Sequence, residues 1–158
     1  MSIDLDYWAN EDGIQDKEGF IRFYNKVKSL NLPIFYTEYH DGILDHLNDK
    51  KVDHIYQIDY HNDIISEPIY PLELEEGTWA AFYKHKRDAV FEWRYPSKKE
   101  CFNEGWGLCD GGEWHPKKTG YKKVLRREGL QGIKWDEVAY IGVSLSPNWC
   151  NDWIYDLI

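Results

Sequence analysis

The chain has 158 residues, of which 42% are hydrophobic and 16% aromatic, and its formal net charge is -9. This composition excludes a disordered chain and predicts a single domain over residues 1–158 with a substantial core. The negative charge argues against binding to nucleic acids, whose phosphates need a basic surface. Because no apolar stretch is long enough to span a bilayer and the start is polar and acidic, we expect a cytoplasmic protein without membrane contact.

Short apolar runs and helical spacings of apolar residues alternate along the chain. Strands are predicted at 2–8, 33–38, 52–59, 89–95 and 138–145. Helices are predicted at 17–30, 42–48 and 78–86. Ser146 and Pro147 are typical of an N-cap and a first helical position, which indicates one more helix at the end. Alternating elements predict an α/β fold with three layers, in which helices cover both faces of a mainly parallel sheet.

The stretch 96–119 has no predicted element and is rich in Gly and Trp. Long loops of this kind are often functional. Within it, Cys101, Cys109 and His115 could hold zinc, although their spacing matches no common zinc motif. Together with Cys150 the cysteines are odd in number and form no CxxC pair, so we expect no disulfide framework.

Acidic and histidine side chains lie at or directly after the ends of three of the predicted strands. They are Asp4 and Asp6 in the first, Glu38 and His40 after the second, and Asp59, His61 and Asp63 after the third. Side chains two residues apart on a strand point the same way. The carboxyl ends of parallel strands also meet at one edge of a sheet. If these strands are neighbours, the side chains therefore lie together.

Four aspartates in one place repel each other and resist ionisation unless cations are present. Two divalent ions would balance their charge, and His40 and His61 would add neutral ligands. An oxygen-rich set with some imidazole favours manganese, although iron, cobalt and zinc also accept such ligands. Two ions that share a water lower its pKa and so create a nucleophile near neutral pH. The sequence therefore predicts a two-metal site.

These residues resemble the metal-binding pattern of the arginase and ureohydrolase superfamily. That pattern has a His after one strand, Asp-x-His-x-Asp after another and Ser-x-Asp-x-Asp after a third. Its counterparts here are His40, "DYHND" and "SIDLD". The resemblance implies two manganese ions held by Asp4, Asp6, His40, Asp59, His61 and Asp63. It implies further that Asp4 and Asp59 bridge the ions, with His40 and Asp63 on one ion and His61 and Asp6 on the other.

A closer resemblance is to small arginase-like enzymes that include the peptide arginases, which convert arginine to ornithine in ribosomally made peptides and release urea. It covers most of 1–96, through "SIDLDYW", "TEYHDGIL", "HIYQIDYHNDI" and "EGTWAAFYKHKRDAVFEWRYP", together with 138–149. The stretch 96–119 has no counterpart. Ser-x-Asp-x-Asp usually comes late in the superfamily, so its place here implies a circularly permuted, shortened arginase-like fold.

Several residues around the ions are further candidates for roles in the reaction, and Glu38 is one of them because it faces the same way as His40. Asp63 would help to stabilise the tetrahedral intermediate, and Glu38 would hold the substrate guanidinium or, alternatively, support the metal ligands. Trp79 is a candidate for lining the substrate pocket, although an aromatic residue at such a position more often belongs to the core. His85 is a candidate proton shuttle or simply a solvated helix end.

The substrate and partners follow from the chain's departures from free-arginine enzymes. Because the chain is short and lacks their substrate loops, an arginine-containing peptide in an open site is favoured, and a homo-oligomer could supply a missing pocket wall. Two other functions stay open. One is an agmatinase-like or deacetylase-like metallohydrolase acting on a small molecule. The other is a non-catalytic, metal-stabilised module whose Trp-rich loop binds a partner.

Overall fold

A computed structural model of the chain describes residues 1–9, 13–64, 74, 77–96 and 119–158. Its strands are β1 Ser2–Asp4, β2 Ile34–Thr37, β3 His54–Ile58, β4 Val90–Tyr95, β5 Lys123–Glu128 and β6 Ile141–Ser144. They form one six-stranded sheet in the order β2-β6-β1-β3-β4-β5. Every neighbouring pair is parallel, which confirms the predicted α/β class and parallel sheet.

Two α-helices accompany the sheet, α1 Lys17–Ser29 and α2 Ile43–Leu47. Short 3-10 helices lie at Leu5–Tyr7, His40–Gly42, Trp79–Phe82, Lys86–Asp88, Trp135–Glu137 and Asp152–Leu157. Asp16 begins α1, because its side chain accepts a hydrogen bond from the backbone N–H of Gly19 at 3.0 Å. Among the described residues, no helix has the length and apolar character needed to cross a membrane.

Each face of the sheet packs against its own hydrophobic cluster. Successive side chains on a strand point to opposite faces, and β3 shows this clearly. Its Tyr56 and Ile58 belong to the cluster that contains the apolar face of α1, whereas Ile55 belongs to the cluster that contains α2. The sheet therefore lies between two layers that each contain a helix.

Several predicted elements differ from the structure. The first strand ends at Asp4 rather than at residue 8, because Leu5–Tyr7 turns into a 3-10 helix whose first N–H groups include that of Asp6, bonded to the Asp4 side chain. The helix predicted at 78–86 is replaced by two 3-10 turns, Trp79–Phe82 and Lys86–Asp88. The stretch 97–118, which makes up most of the predicted long loop, lies outside the described residues.

The end of the chain departs most from prediction. The prediction that Ser146 begins a helix is wrong: Ser146 has φ +46°, and the helix that follows is the 3-10 segment Asp152–Leu157. β5 was not predicted at all. Its sequence, KVLRRE, is mostly charged and half-exposed, and it pairs only with β4 at the edge of the sheet. An edge strand buries less of its surface, so it lacks the continuous apolar run that marks a central parallel strand.

The order of the strands decides what surrounds the predicted ligands. β1 lies between β3 and β6, and β2 is separated from β1 by β6. The expectation that the three ligand-bearing strands are neighbours therefore holds for β1 and β3 but not for β2. As a result Asp4 stands in register with Ser144 of β6, which brings the end of β6 to the site as well.

Candidate metal centre

The structure brings all six predicted metal ligands to one edge of the sheet. β1 and β3 end side by side, with Ile3 in register with Ile58, so Asp4 and Asp59 follow each other across the sheet. β2 is farther away, but the segment after it turns back into the His40–Gly42 helix. This turn carries the buried His40 side chain over β6 to the carboxylates at the ends of β1 and β3.

Three carboxylates converge on one nitrogen of His40. His40 Nδ1 lies 3.2 Å from Asp4 Oδ2, 3.0 Å from Asp59 Oδ2 and 2.8 Å from Asp63 Oδ2. The four side chains are buried. Oxygen and nitrogen atoms at these separations are spaced as the ligands of a single cation are spaced, so the group has the donors and the size for one ion.

A second group lies beside the first and shares one of its members. His61 Nδ1 lies 2.8 Å from Asp6 Oδ2 and 4.0 Å from Asp59 Oδ1. One ligand atom from each of Asp4, His40 and Asp59 lies within 4.8 Å of the others, and the same is true of Asp6, Asp59 and His61. Asp59 is common to both groups and is therefore placed to bridge two ions. The bridging role of Asp4 stays a prediction, because Asp4 falls in the first group alone.

Backbone N–H groups hold three of the aspartates in place. The N–H of Asp6 donates to Asp4 Oδ1 at 3.0 Å, and the N–H of Tyr60 donates to Asp6 Oδ1 at 3.1 Å. The N–H of His61 donates to Asp59 Oδ1 at 2.7 Å. These donors come from the turns that follow β1 and β3, so the residues that end each strand also fix the carboxylates.

Serine side chains form a second layer behind the ligands. Ser2 Oγ lies 2.6 Å from His40 Nε2, which leaves Nδ1 of the same ring to face the carboxylates. Ser146 Oγ donates to Asp4 Oδ2, and it is itself bonded to Ser144 Oγ at 2.8 Å. Such partners orient metal ligands and increase their affinity.

Two buried tryptophans also contact the ligands. The Trp79 indole N–H donates to Asp63 Oδ2 at 3.0 Å, and its ring lies 5.1 Å from the His40 ring. The Trp93 indole N–H donates to the backbone carbonyl of Asp59 at 3.0 Å. Trp79 is fully buried, which agrees with the alternative that it is a core residue. It supports the ligands from behind, and a direct contact with substrate stays a prediction.

Glu38 occupies a different position from the six ligands. Its side chain is exposed, while its backbone carbonyl accepts a hydrogen bond from the Ser146 N–H at 2.9 Å. Within the described part of the chain, no hydrogen bond or ion pair joins the Glu38 carboxylate to the ligands. In the described part of the chain, no contact therefore supports a role for Glu38 in holding the metal ligands. Its guanidinium-binding role stays a prediction.

Left-handed backbone occurs at two residues of the site. Asp63 has φ +50° and Ser146 has φ +46°. Aspartate visits this region more readily than serine does, and non-glycine residues held there are concentrated at functional sites. In both residues the unusual backbone accompanies a side chain that contacts the cluster: Asp63 faces His40, and Ser146 faces Asp4.

The electrostatics of the cluster fit bound cations. Burial, followed by the charges of Asp63 and Asp4, raises the pKa of Asp59 to about 7. Burial and the neighbouring charges of Asp4 and Asp59 raise the pKa of Asp6 well above its ordinary value. The raised pKa values of Asp6 and Asp59 mean that both carboxylates resist ionisation near neutral pH unless positive charge lies close to them. Divalent cations supply such charge, so the residues present fit the ions that the motif implies.

The two histidines carry positive charge when the cluster has no other source of it. Burial alone would lower the pKa of His40, but hydrogen bonds to Asp4, Asp59 and Asp63 raise it well above its ordinary value. Burial likewise opposes charge on His61, yet its hydrogen bond to Asp6 raises its pKa to about 10. Metal ions would have to displace these protons, because imidazole binds a metal in its neutral form.

Sequence reasoning missed several contributors. Ser2 and Gln57 lie two residues before Asp4 and Asp59, and strand alternation alone places them on the side of the ligands. The Ser146 hydroxyl could not be assigned, because Ser-Pro is equally typical of a helix start. Trp149 was also missed. Its ring lies 5.8 Å from that of the partly exposed His61, and its side chain is 45% exposed, which places an aromatic face at the solvent side of the site.

Of the three cysteines, the described part of the chain includes Cys150 alone. Cys101, Cys109 and His115 lie outside the described residues. Cys150 is a buried thiol, and burial followed by the charges of Asp4 and Asp6 raises its pKa. It therefore behaves as an unreactive core residue beside the candidate centre.

Comparison of the chain with protein-family models, with curated proteins and with solved structures gave no match. The resemblance to arginase-like enzymes accordingly rests on the motif residues and their convergence. The structure shows an all-parallel α/β sheet that gathers four aspartates and two histidines at the carboxyl ends of its strands.

Proposed function

We propose that the chain is a hydrolase that uses two Mn²⁺ ions to convert arginine side chains of a peptide to ornithine, with release of urea. The observation that carries this proposal is the pair of ligand groups that share Asp59. Four carboxylates and two imidazoles favour a hard or borderline divalent cation over a soft one, which supports manganese.

The same proposal assigns the chain a shortened and circularly permuted arginase-like fold. In support, the Asp-x-Asp, His and Asp-x-His-x-Asp motifs follow β1, β2 and β3 at one edge of an all-parallel sheet. We place the activity in the cytoplasm, where a buried thiol such as Cys150 stays reduced.

In the proposed reaction a water oxygen forms a bond to the guanidinium carbon, and the bond from that carbon to Nε breaks. Urea leaves, and the new amine of ornithine takes up a proton. Two bound divalent ions would supply Lewis-acid chemistry and lower the pKa of the attacking water. Asp59 would hold both ions, and Asp63 would help to stabilise the tetrahedral intermediate. Ser2 would keep Nδ1 of His40 directed at the cluster.

The solvent side of the site supports a cationic substrate. Trp149 presents an exposed aromatic face beside His61, and guanidinium groups stack on such faces. Glu38 offers an exposed carboxylate at the same edge of the sheet, and carboxylates bind guanidinium through paired hydrogen bonds. The net charge of -9 adds a general attraction for cations.

Mass spectrometry of an arginine-containing peptide incubated with the Mn²⁺-loaded protein tests the proposal. We expect the peptide to lose one CH₂N₂ unit, which is urea less the water consumed, and urea to appear in equal amount. Asp59→Asn should abolish the change, whereas the exposed Asp49→Asn should leave it intact.

Agmatine and an acylated amine serve as competing substrates in the same experiment. Urea from agmatine but none from any arginine peptide would replace the peptide proposal with an agmatinase-like one. Release of an acyl group would indicate a deacetylase-like enzyme. A protein that binds two Mn²⁺ ions and turns over none of these substrates would indicate a binding module.

A further inference from the structure

Gln57, a residue of the central strand β3, places an amide side chain in the interior of the protein. Gln57 is fully buried and stands in register with Ser2 of β1 and Trp93 of β4. Burying an amide costs stability unless its hydrogen-bonding groups find partners. The contacts of Gln57 therefore indicate what the residue is for.

The amide nitrogen of Gln57 lies among the candidate ligands of one ion. Nε2 donates to Asp59 Oδ2, and it donates to Asp63 Oδ2 at 3.0 Å. It also lies 3.5 Å from His40 Nδ1. Both carboxylate oxygens also lie within 3.0 Å of His40 Nδ1 in the first ligand group.

The other half of the same amide has no partner. Gln57 Oε1 is buried and accepts no hydrogen bond from any described residue. An amide oxygen left unpaired in the interior is costly, and such a group calls for an explanation, an ion being one of the usual ones. The oxygen and nitrogen of a glutamine amide exchange places when the group turns by half a revolution, without any change in volume.

We propose that Gln57 is a further ligand of the ion held by His40, and that it binds through Oε1. This inference rests on the proposed metal centre. An N–H group pointing at a cation is repelled by it, whereas an amide oxygen is a good ligand for hard divalent ions. After the turn, Nε2 would occupy the present position of Oε1, where the oxygen has no hydrogen-bond partner. The turn is therefore favourable only when a cation binds the oxygen.

A simpler role would be that of a hydrogen-bond donor that positions Asp59 and Asp63. The two roles predict opposite results for a carboxylate at this position. Gln57→Glu keeps an oxygen of the same reach and removes the donor, so it preserves a ligand but destroys a positioning donor. Gln57→Leu removes both functions and keeps a similar volume.

Isothermal titration with Mn²⁺ separates these roles. Relative to the unaltered chain, we expect Gln57→Leu to lower the affinity for one of the two Mn²⁺ ions about 10- to 100-fold. Removal of other groups that support a metal site lowers metal affinity by a similar factor. Gln57→Glu should bind that ion as tightly as the unaltered chain or more tightly. The exposed Gln131→Leu should change neither ion. A Gln57→Glu protein that loses as much affinity as Gln57→Leu would overturn the assignment.

The unaltered chain provides a second measurement in case either variant fails to fold. Side-chain amide NMR signals of Gln57 are followed while the diamagnetic ion that binds, Mg²⁺ or Zn²⁺, is added. The hydrogen-bonded Nε2 protons should shift to the position of unbonded amide protons. An amide that stays hydrogen-bonded in the loaded protein would contradict the proposal. Failure of the unaltered chain to bind Mn²⁺ would overturn the metal centre together with this ligand, whereas binding that is indifferent to Gln57 would overturn the ligand alone.

Discussion

Asp59 faces His40 with one carboxylate oxygen, Oδ2, which lies 3.0 Å from His40 Nδ1, and it turns its other oxygen toward His61. A carboxylate that offers a separate oxygen to each of two histidine-containing groups has the geometry of a bridge between two cations. Both groups depend on this residue, so a change at Asp59 affects the whole centre.

Asp59→Asn should therefore lower the affinity for both Mn²⁺ ions, while Asp6→Asn should lower chiefly the affinity for the ion beside His61. Asparagine keeps the size of the side chain but removes the charge that neutralises the ions. We expect Asp59→Asn to abolish activity, since both ions act together, and to abolish the rise in melting temperature on Mn²⁺ addition. Calorimetric stoichiometry measures the number of ions, with Asp49→Asn as the control. Two ions still bound by Asp59→Asn would argue against the bridge.

Ser2→Ala tests the hydrogen bond that orients His40. Without the hydroxyl at 2.6 Å from Nε2, the imidazole loses the partner that directs Nδ1 at the cluster. We expect Mn²⁺ affinity to fall about 10- to 100-fold, as for other supporting groups, with a loss of about 1 kcal/mol in the free energy of unfolding of the metal-free chain. The exposed Ser29→Ala serves as the control. An unchanged Mn²⁺ titration would mean that His40 is held by packing alone.

The pH dependence of stability should reverse when metal is added. The pKa of His61 is raised to about 10 and that of His40 is raised in the same direction. The stability that these groups contribute is complete below the unfolded pKa of about 6.5 and is lost as pH rises through their folded pKa values. The raised pKa of Asp59 acts in the same sense below about 7. The lowered pKa of Asp4 acts in the opposite sense, but only at acidic pH.

The chelator-treated protein should accordingly have a lower melting temperature at pH 9 than at pH 6.5. With Mn²⁺ the order should reverse over the lower part of this range, because the ions compete with protons for the same ligands. Replacing His61 by Asn should flatten the metal-free profile. A metal-free melting temperature that rises steadily with pH would contradict the charge arrangement of the cluster.

Trp149→Ala should weaken substrate binding without changing Mn²⁺ binding. If the exposed indole receives the guanidinium, its loss should raise KM for an arginine peptide about 2- to 5-fold, the equivalent of an exposed cation–π contact. Mn²⁺ binding should be unchanged. The exposed Tyr140 lies at the other end of β6, before its first residue, so Tyr140→Ala is a matched control. Equal KM values for the two variants would remove Trp149 from the substrate site.

Glu38→Gln distinguishes the two roles that the sequence left open for this residue. Because its carboxylate is exposed and has no contact with the ligands in the described chain, we expect normal Mn²⁺ affinity and a raised KM for guanidino substrates. A drop in Mn²⁺ affinity with KM unchanged would instead show that Glu38 supports the metal centre.

Strand alternation accounts for what the sequence could predict. Polar residues at every second position after apolar runs mark both the strand ends and the side on which Asp59 and His61 emerge, so the ligand set follows from local pattern. The parallel sheet follows from the alternation of strands and helices. The parallel sheet can be inferred without the order of the strands, whereas the expectation that the ligands meet assumes that their strands are neighbours.

Strand order is where local pattern fails. Nothing in the sequence near β6 indicates that it lies between β1 and β2, yet this place brings Ser144 and Ser146 to Asp4. Ser146-Pro147 satisfies the rules for a helix start, yet Ser146 has a left-handed backbone and its side chain is bonded to Asp4, near the other end of the chain. β5 escaped because an exposed edge strand has little apolar signal.

The hydrogen bond from Ser146 to Asp4 joins residues 142 positions apart, and β1 pairs only with strands that come much later in the chain. The candidate ligand groups are therefore complete only after these distant segments have assembled, and we expect this to happen late in folding, because contacts between distant segments carry the largest cost in loop closure. A group that forms after the transition state changes the unfolding rate and leaves the folding rate nearly untouched. Bound Mn²⁺ should therefore slow the unfolding of the native protein and leave the rate of its folding nearly unchanged.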